Sequence, residues 1–276
     1  MKVFISIDME GVTGVCAEQQ TSLTGAGYAE ACTAMRADLD AALEGCLAAG
    51  ATTVVVCDAH DESTNLSSEG LPEGVTLVSG SPSPLSMMTG LDASFDAVLL
   101  VGYHAMSGTA GAVLEHTYAY KVISVSCADR ALGEVGLNSA LAGFFGVPVV
   151  FVSGDDKLAA EAWTLLPGVE AAVVKEGVAR TCARHVSPDV ARARIRDGAE
   201  RALRAVKRPD LLRLPAAPLR VMFARAHFCD LAATAAGVRR CDGLTIEISG
   251  EDYRQVFERF LVCLSLAASA GAPPSE

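Results

Sequence analysis

The chain has 276 residues, of which 51% are hydrophobic and 20% are charged, a composition that is typical of a globular protein and argues against disorder. Its formal net charge is -11 at pH 7, so we expect no nucleic-acid-binding surface and no binding to anionic membranes. A chain of this length buries roughly 75% of its unfolded surface and needs no disulfide bonds for stability.

Apolar runs alternate with helical patterns along the chain. The predicted strands, in order, are 3–7, 52–57, 97–101, 122–127, 148–153, 171–174, 219–224 and 244–248. The predicted helices are 28–49, a buried helix before the turn at 146–148, 156–166, 188–206 and 252–270. A proline-containing break occupies 207–218, and we expect the tail at 271–274 to be disordered.

This order of elements predicts the α/β class. We expect residues 1–207 to form a metal-binding catalytic domain with three α/β/α layers and a mostly parallel or mixed central sheet. Residues 216–276 are predicted to form a smaller C-terminal α+β subdomain. The uncharged stretch 135–154 contains several glycines and a proline, so we interpret it as a buried helix and strand rather than a membrane span.

The nine cysteines are widely spread and contain no Cys-x-x-Cys pair, which excludes a zinc ribbon or a thioredoxin motif. Most lie in apolar stretches, where free thiols are commonly buried and reduced. Reduced thiols indicate a reducing compartment, and the short apolar run before Asp8 does not resemble a signal peptide. We therefore expect a cytoplasmic protein.

Carboxylates and histidines follow four of the predicted strands. Asp8 and Glu10 follow the first strand, His60 the second and His104 the third, while Glu134 comes shortly after the strand at 122–127. Ligands of open α/β sheets bind at the carboxyl ends of strands, so we expect these side chains to form one site. Asp8 and Glu10 are two residues apart on an extended segment and therefore face the same side.

Imidazole and carboxylate ligands suit zinc, and also manganese or cobalt. Five ligands exceed what one tetrahedral zinc takes, whereas two ions about 3.5–4 Å apart, bridged by a carboxylate, would use all five. Each residue also has an ordinary structural explanation. The Asp-x-Glu pair is also typical of a solvated turn, His104 of a structural histidine, and Glu134 of an acid in the first turn of a helix.

Several further residues have alternative interpretations. Asp58 can orient His60 or cap a strand end, and Asn138 can bind a substrate terminus or stabilise a helix start. Asp155 and Asp156 predict a helix N-cap. His185 and His227 lie outside the motifs and are interpreted as structural or surface residues.

Several motifs resemble those of one known family. The segment Ser6–Gly11 matches the pattern Ser-x-Asp-x-Glu-Gly. Further matches follow in the same order at Asp58–His60, Ser79–Gly80, Gly90–Leu91, Gly102–Ala105, Gly133–Asn138 and Gly154–Asp156. Together they resemble the D-aminopeptidase family of metallopeptidases, peptidase family M55, which includes proteins called dipeptide transport proteins. The resemblance is collinear over about residues 1–180 and looser beyond.

The resemblance implies a binuclear zinc peptidase that removes N-terminal D-amino acids from short peptides or amides. It implies two zinc ions per subunit bound by Asp8, Glu10, His60, His104 and Glu134, with Asp8 as the bridging ligand. The family's catalytic histidine corresponds to His116, as nucleophile or general acid/base. We favour acid/base, because a bound metal ion already activates water and imidazole suits proton transfer. The resemblance also implies a homodecamer of two pentamers.

Two other functions fit the same residues. A different metallohydrolase, an amidase or a phosphoesterase, could use the site, but phosphate chemistry favours nearby cations, and Lys121, Arg130 and Lys157 are the candidates. A non-catalytic peptide- or metal-binding protein is the alternative of another class. We predict the metallo-aminopeptidase, because a binder has little use for an open metal position.

Overall fold

The structure is a computed structural model that describes residues 1–270; the predicted disorder of 271–274 lies outside these residues. The strands are, in chain order, β1 (Lys2–Ile7), β2 (Thr53–Asp58), β3 (Val75–Val78), β4 (Ala97–Val101), β5 (Val122–Cys127), β6 (Arg130–Ala131), β7 (Val149–Asp155), β8 (Glu170–Ala179), β9 (Cys182–His185), β10 (Leu219–Phe223), β11 (Val238–Arg240) and β12 (Thr245–Ile248). The helices are α1 (Glu18–Thr21), α2 (Tyr28–Ala48), α3 (Glu134–Phe145), α4 (Asp156–Leu165), α5 (Pro188–Arg204), α6 (Ala226–Ala232) and α7 (Tyr253–Ser269), with a 3-10 helix at Ser86–Met88.

Seven strands form the main sheet in the order β3-β2-β1-β4-β7-β8-β9. All neighbours are parallel except β8 and β9, which are antiparallel. The chain adds β2 and β3 on one side of β1 and then returns to add β4 on the other. The strand order thus reverses at β1 and β4, which is where open α/β sheets bind ligands.

The main sheet is covered on both faces, because side chains of successive strand residues point in opposite directions. In β1, Val3, Ile5 and Ile7 pack into one core with apolar residues of α2 and α5. Phe4 belongs to the other core, which includes α3, α4 and the second sheet. The predicted α/β class with layered helices on a mostly parallel sheet is confirmed.

The second sheet has five antiparallel strands in the order β11-β12-β10-β5-β6. We predicted that 122–127 is a strand within the layered domain of residues 1–207; the strand forms, but it belongs to the second sheet. It pairs with β10 of the C-terminal region, and Ile123 and Ser124 are exposed. An apolar run does not specify its partner strand, and here both faces of the strand are partly solvated, because consecutive residues point to opposite faces. The division at 207 and 216 remains a prediction.

Other elements follow the predicted pattern with shifted bounds. The uncharged stretch 135–154 forms most of α3 and β7, and both are largely buried. Among residues 1–270, no helix has the length and apolar character that crossing a membrane requires. β8 is longer than predicted, because Lys175 and Glu176 interrupt its apolar run without ending the strand.

Candidate metal centre

Three neighbouring strands deliver four of the predicted ligands to one place. In the register of the sheet, Ile7 pairs with Asp58 of β2 and with Val101 of β4. The residues just beyond these ends are therefore adjacent, although they are far apart in sequence. Asp8, Glu10, His60 and His104 all lie there and are all buried.

The backbone segments after β1 and β4 approach each other very closely. The amide of Gly11 donates to the carbonyl of Gly102 over 2.7 Å. A Cβ added to Gly11 would lie 1.9 Å from the carbonyl oxygen of Tyr103, so only glycine fits there. Gly102 has a φ of +68°, in the left-handed region that glycine adopts at little cost. These contacts fix the positions of Asp8, Glu10 and His104 relative to one another.

Glu134 lies in the same place, but a helix positions it rather than the end of a strand in the main sheet. It is the first residue of α3 and does not follow a strand of the main sheet, because β5 belongs to the second sheet. A Cβ on the preceding Gly133 would lie 2.6 Å from Oε1 of Glu161 in α4. Glycine at this position therefore lets the start of α3 pack tightly against α4, with the Glu134 side chain buried.

One group of donor atoms surrounds His60. Its Nδ1 lies 3.2 Å from Oδ1 of Asp8 and 3.2 Å from Oε2 of Glu10. Its Nε2 lies 2.7 Å from the carbonyl oxygen of Thr21, which can only accept, so Nε2 carries the proton. The lone pair of a neutral His60 is therefore on Nδ1 and faces the two carboxylates.

A second group surrounds His104 and shares Asp8 with the first. His104 Nε2 lies 3.4 Å from Oδ2 of Asp8 and 3.3 Å from Oε2 of Glu134. Its Nδ1 donates to the carbonyl of Ala105 over 3.0 Å, which leaves the lone pair on Nε2. Asp8 thus has one oxygen in each group, as expected of a bridging ligand.

The electrostatics and polar contacts of the centre fit divalent cations. Burial opposes ionisation of Asp8, but hydrogen bonds and charges from His104 and His60 outweigh it and hold the pKa of Asp8 well below its ordinary value. Burial likewise opposes the charged form of His60, but Glu10 and Asp8 raise its pKa to about 12. The carboxylates thus strongly favour positive charge between them, which metal ions would supply as they displace protons.

Two buried atoms without hydrogen-bond partners in residues 1–270 also indicate that the centre is suited to a bound metal ion. Oε2 of Glu10 and Nε2 of His104 are buried and have no hydrogen-bond partner within the described part of the chain. Buried polar atoms without a partner are costly and call for an explanation, which a bound ion would provide. Donor atoms of Asp8, Glu10 and His104 lie within 4.8 Å of one another, as do those of His104, His116 and Glu134.

His116 lies at the edge of the centre. Its ring stacks on that of His104 with centroids 4.1 Å apart, and the tilted ring of Tyr120 lies with its centroid 4.9 Å from that of His116. Its Nδ1 donates to the carbonyl of Leu114 over 3.0 Å, and its Nε2 lies 3.7 Å from Oε1 of Glu134. The ring is therefore held with Nε2 available as a proton acceptor beside the ligands.

A cleft of about 630 Å³ opens onto the centre. Asp8, Glu10, His60, His116 and Glu134 all contribute to its lining. This volume accommodates a small ligand. The predicted site residues are thus brought together in one cavity wall, with His104 buried behind them.

The remaining sequence interpretations have clear outcomes. Asp58 accepts hydrogen bonds from the amides of Asn65 and Leu66, so it caps the loop after β2 and does not contact the His60 ring. Asn138 is fully buried and bonds to the hydroxyls of Tyr103 and Tyr118, a structural role. Asp155 caps α4, as predicted, by accepting from the amides of residues 157 and 158.

Two ionisable residues near the centre, the buried Lys175 and the half-buried Glu161, were not predicted from the sequence. The Lys175 ammonium in β8 donates to three carbonyls in the loop after β1, those of Glu10, Val12 and Val15, over 2.5, 2.9 and 2.6 Å. Glu161 accepts from the amide of Met106, two residues after His104, over 2.8 Å. A lysine within an apolar strand and a glutamate within an alanine-rich helix were the available signals.

The fold and the centre define a class of protein. It is an α/β protein whose carboxylate and histidine side chains form a centre suited to divalent metals, at the point where the strand order of the main sheet reverses. A profile of the peptidase M55 family, described as D-aminopeptidase, matches residues 1–262. The chain therefore belongs to the M55 D-aminopeptidase family. It is an aminopeptidase, a hydrolase that acts on peptide bonds, as the sequence motifs predicted.

Two relatives illustrate the similarity. A D-aminopeptidase of Bacillus subtilis (strain 168) is 32% identical over 269 residues, which are 97% of this chain and 98% of the relative. The solved structure of Zn-dependent D-aminopeptidase DppA from Bacillus subtilis, a self-compartmentalizing protease, matches with a TM-score of 0.93 and 31% identity. That match covers 97% of this chain and 98% of the other.

Proposed function

We propose that this protein is a zinc-dependent aminopeptidase that releases N-terminal D-amino acids from short peptides and amino-acid amides. The observation that carries the proposal is the pair of three-donor groups that share Asp8 beneath a cleft. The zinc dependence and D-configured substrate of its solved relative support the same conclusion.

In this proposal, two zinc ions bind per subunit. Asp8, Glu10 and His60 hold one ion, and Asp8, His104 and Glu134 hold the other. Manganese or cobalt would suit the same donor set. When bound, the ions would polarise the scissile carbonyl and activate water for attack at neutral pH.

The protein's own residues prepare the donor atoms. Thr21 and Ala105 accept the second ring protons of His60 and His104, which fixes the tautomers and directs the lone pairs toward the centre. The amide of Tyr118 donates to Oε1 of Glu134 over 2.6 Å and leaves Oε2 facing His104. The ligands are thus held in position before any ion or substrate binds.

His116 acts as the general acid/base rather than the nucleophile. The Leu114 carbonyl keeps a proton on Nδ1, so Nε2 can accept a proton in the cleft and deliver it to the leaving amine. Its stacking on His104 and its contact with Tyr120 limit rotation of the ring.

The charge of the cleft separates this function from a phosphoesterase. Five carboxylates line it, those of Asp8, Glu10, Glu18, Asp61 and Glu134. Three of them are the proposed zinc ligands, and the other two, Glu18 and Asp61, favour a substrate with a protonated N-terminal amine. A phosphate ester carries the opposite charge and would favour lysine or arginine side chains beside the metal ions. Of the three candidates Lys121, Arg130 and Lys157, Lys121 alone contributes to the cleft among the residues that the structure describes.

We further propose that the protein acts as a homo-oligomer in the cytoplasm. The self-compartmentalizing assembly of its solved relative supports an oligomer, and a decamer is the form that we expect. All nine cysteines are free thiols, as expected in a reducing compartment. Light scattering of the purified protein tests the assembly: a mass near ten chains is expected, and a monomer would contradict it.

The activity is tested with a panel of D- and L-aminoacyl amides and dipeptides, assayed with zinc and after complete metal removal. We expect hydrolysis of the D-configured N-terminal residues, its loss with a chelator, and its recovery when zinc is returned. Undiminished hydrolysis without metal would refute the mechanism, and a preference for L-residues would refute the proposed handedness.

A further inference from the structure

Lys121 differs in charge from the rest of the cleft. It is the only lysine or arginine in the cleft lining among residues 1–270, and five carboxylate residues line the same cavity. Its ammonium lies 5.6 Å from the ring centroid of Phe228 in α6, and no carboxylate of the described chain forms an ion pair with it. A cation in an acidic cleft that has no acidic partner is available for a ligand.

The position of Lys121 is fixed by its main chain. The amide of Ala224 donates to the Lys121 carbonyl over 2.8 Å, which joins this residue to the second sheet. Lys121 follows His116 by five residues on the same segment, and both residues contribute to the cleft lining. A substrate whose scissile bond lies beside His116 therefore has Lys121 on the same wall.

The lowered pKa of Lys121 supports the view that its ammonium lacks an acidic partner among the described residues and can bind a ligand. Partial burial lowers the pKa of Lys121 from its ordinary value, since desolvation acts on it without a compensating acid. A carboxylate placed beside the ammonium would restore that interaction. A short peptide carries such a group at its C-terminus, and Glu18 and Asp61, the two cleft carboxylates that are not proposed zinc ligands, disfavour its binding beside them.

We infer that Lys121 forms a subsite that binds the free C-terminal carboxylate of a short peptide and so selects dipeptide-like substrates over amides and blocked peptides. The inference rests on the proposed aminopeptidase function and adds the chemical class of the leaving group. The acidic part of the cleft would attract the substrate's amine, and Lys121 would attract its other end.

The test compares D-alanyl-glycine with D-alanyl-glycinamide, which differ in the terminal carboxylate. The zinc-loaded wild-type protein should show a kcat/KM about tenfold or more higher for the acid, the size expected of one hydrogen bond to a charged group. Lys121→Met should remove most of this preference, and Lys121→Arg should retain much of it. Equal rates for acid and amide in the wild type would overturn the inference without any variant.

A binding measurement separates this inference from the proposed function. Calorimetry uses two uncleavable analogues in which the scissile amide is replaced by a methylene-amine and the terminus is a carboxylate or a carboxamide. Tighter binding of the carboxylate form, lost in Lys121→Met, supports the subsite even if neither peptide is hydrolysed. If both peptides are hydrolysed but the analogues bind equally, the subsite is refuted and the peptidase stands.

Lys2→Met is the matched control. Lys2 also lies over a phenylalanine ring, that of Phe95, with its ammonium 4.0 Å from the centroid, but at the amino end of β1. It should leave the acid-to-amide ratio unchanged. A similar fall in that ratio in Lys2→Met and Lys121→Met would show a general effect of charge and contradict a specific subsite.

Discussion

Lys175 offers the sharpest test of how the fold supports the centre. Its side chain is 1% exposed, and its ammonium binds the carbonyls of Glu10, Val12 and Val15. These carbonyls belong to the loop that carries Glu10 away from β1. We predict that Lys175→Met destabilises the fold and weakens zinc binding, because it releases this loop.

The magnitude follows from two opposing contributions. Three buried carbonyls that lose their donor cost about 1–3 kcal/mol each, or roughly 3–9 kcal/mol together. Burial lowers the pKa of Lys175 to about 8, so removing its charge relieves about 3 kcal/mol at neutral pH. The net loss is roughly 0–6 kcal/mol, and its midpoint of about 3 kcal/mol corresponds to a fall in Tm of roughly 6–12 °C.

The assay is thermal unfolding of the metal-free protein at pH 7, followed by a zinc titration of the same samples. Lys157→Met is the control, because the Lys157 ammonium is partly exposed and pairs with Asp156 over 2.5 Å. It should change stability by less than about 1 kcal/mol. A Lys175→Met protein with the stability and zinc affinity of the wild type would show that the Lys175 ammonium does not hold this loop in place.

Three further predictions concern single side chains of the site. His116→Ala should retain its zinc while kcat falls by about 10²–10⁴, and loss of zinc in a metal analysis would instead make His116 a ligand. Burial raises the pKa of Glu161 from 4.5 to about 7, so its stabilising contribution is complete below about pH 4.5 and is lost as the pH rises through 7. Glu161→Gln should therefore gain up to about 3 kcal/mol on the wild type between those values, and urea unfolding that shows no such trend would contradict it. Gly11→Ala should lower both Tm and activity, since its Cβ would meet a carbonyl oxygen at 1.9 Å, whereas Gly243→Ala has open space and should change neither.

The sequence predicted the central strands well, because each is a continuous apolar run that ends in polar residues. It could place Asp8, His60 and His104 at strand ends but could not establish that these ends are neighbours. That depends on the order β2-β1-β4, which is set by long-range pairing. The family motifs predicted that these side chains meet in one site, which hydrophobic periodicity alone does not predict.

The strand at 122–127 shows that a local sequence pattern does not identify the partner of a strand. Residues 122–127 were correctly predicted as a strand, yet their partner β10 lies about a hundred residues further along. No local pattern specifies such a partner. Lys175 and Glu161 were missed for a related reason, since their apolar and alanine-rich surroundings in the sequence do not specify the contacts that they make.

The most direct test of the central claim is a crystal structure with anomalous diffraction measured at the zinc edge. We expect two peaks, one enclosed by Asp8, Glu10 and His60 and one by Asp8, His104 and Glu134, with an Asp8 oxygen facing each. Peaks elsewhere in the molecule, or a zinc-loaded active protein without density among these five side chains, would contradict it.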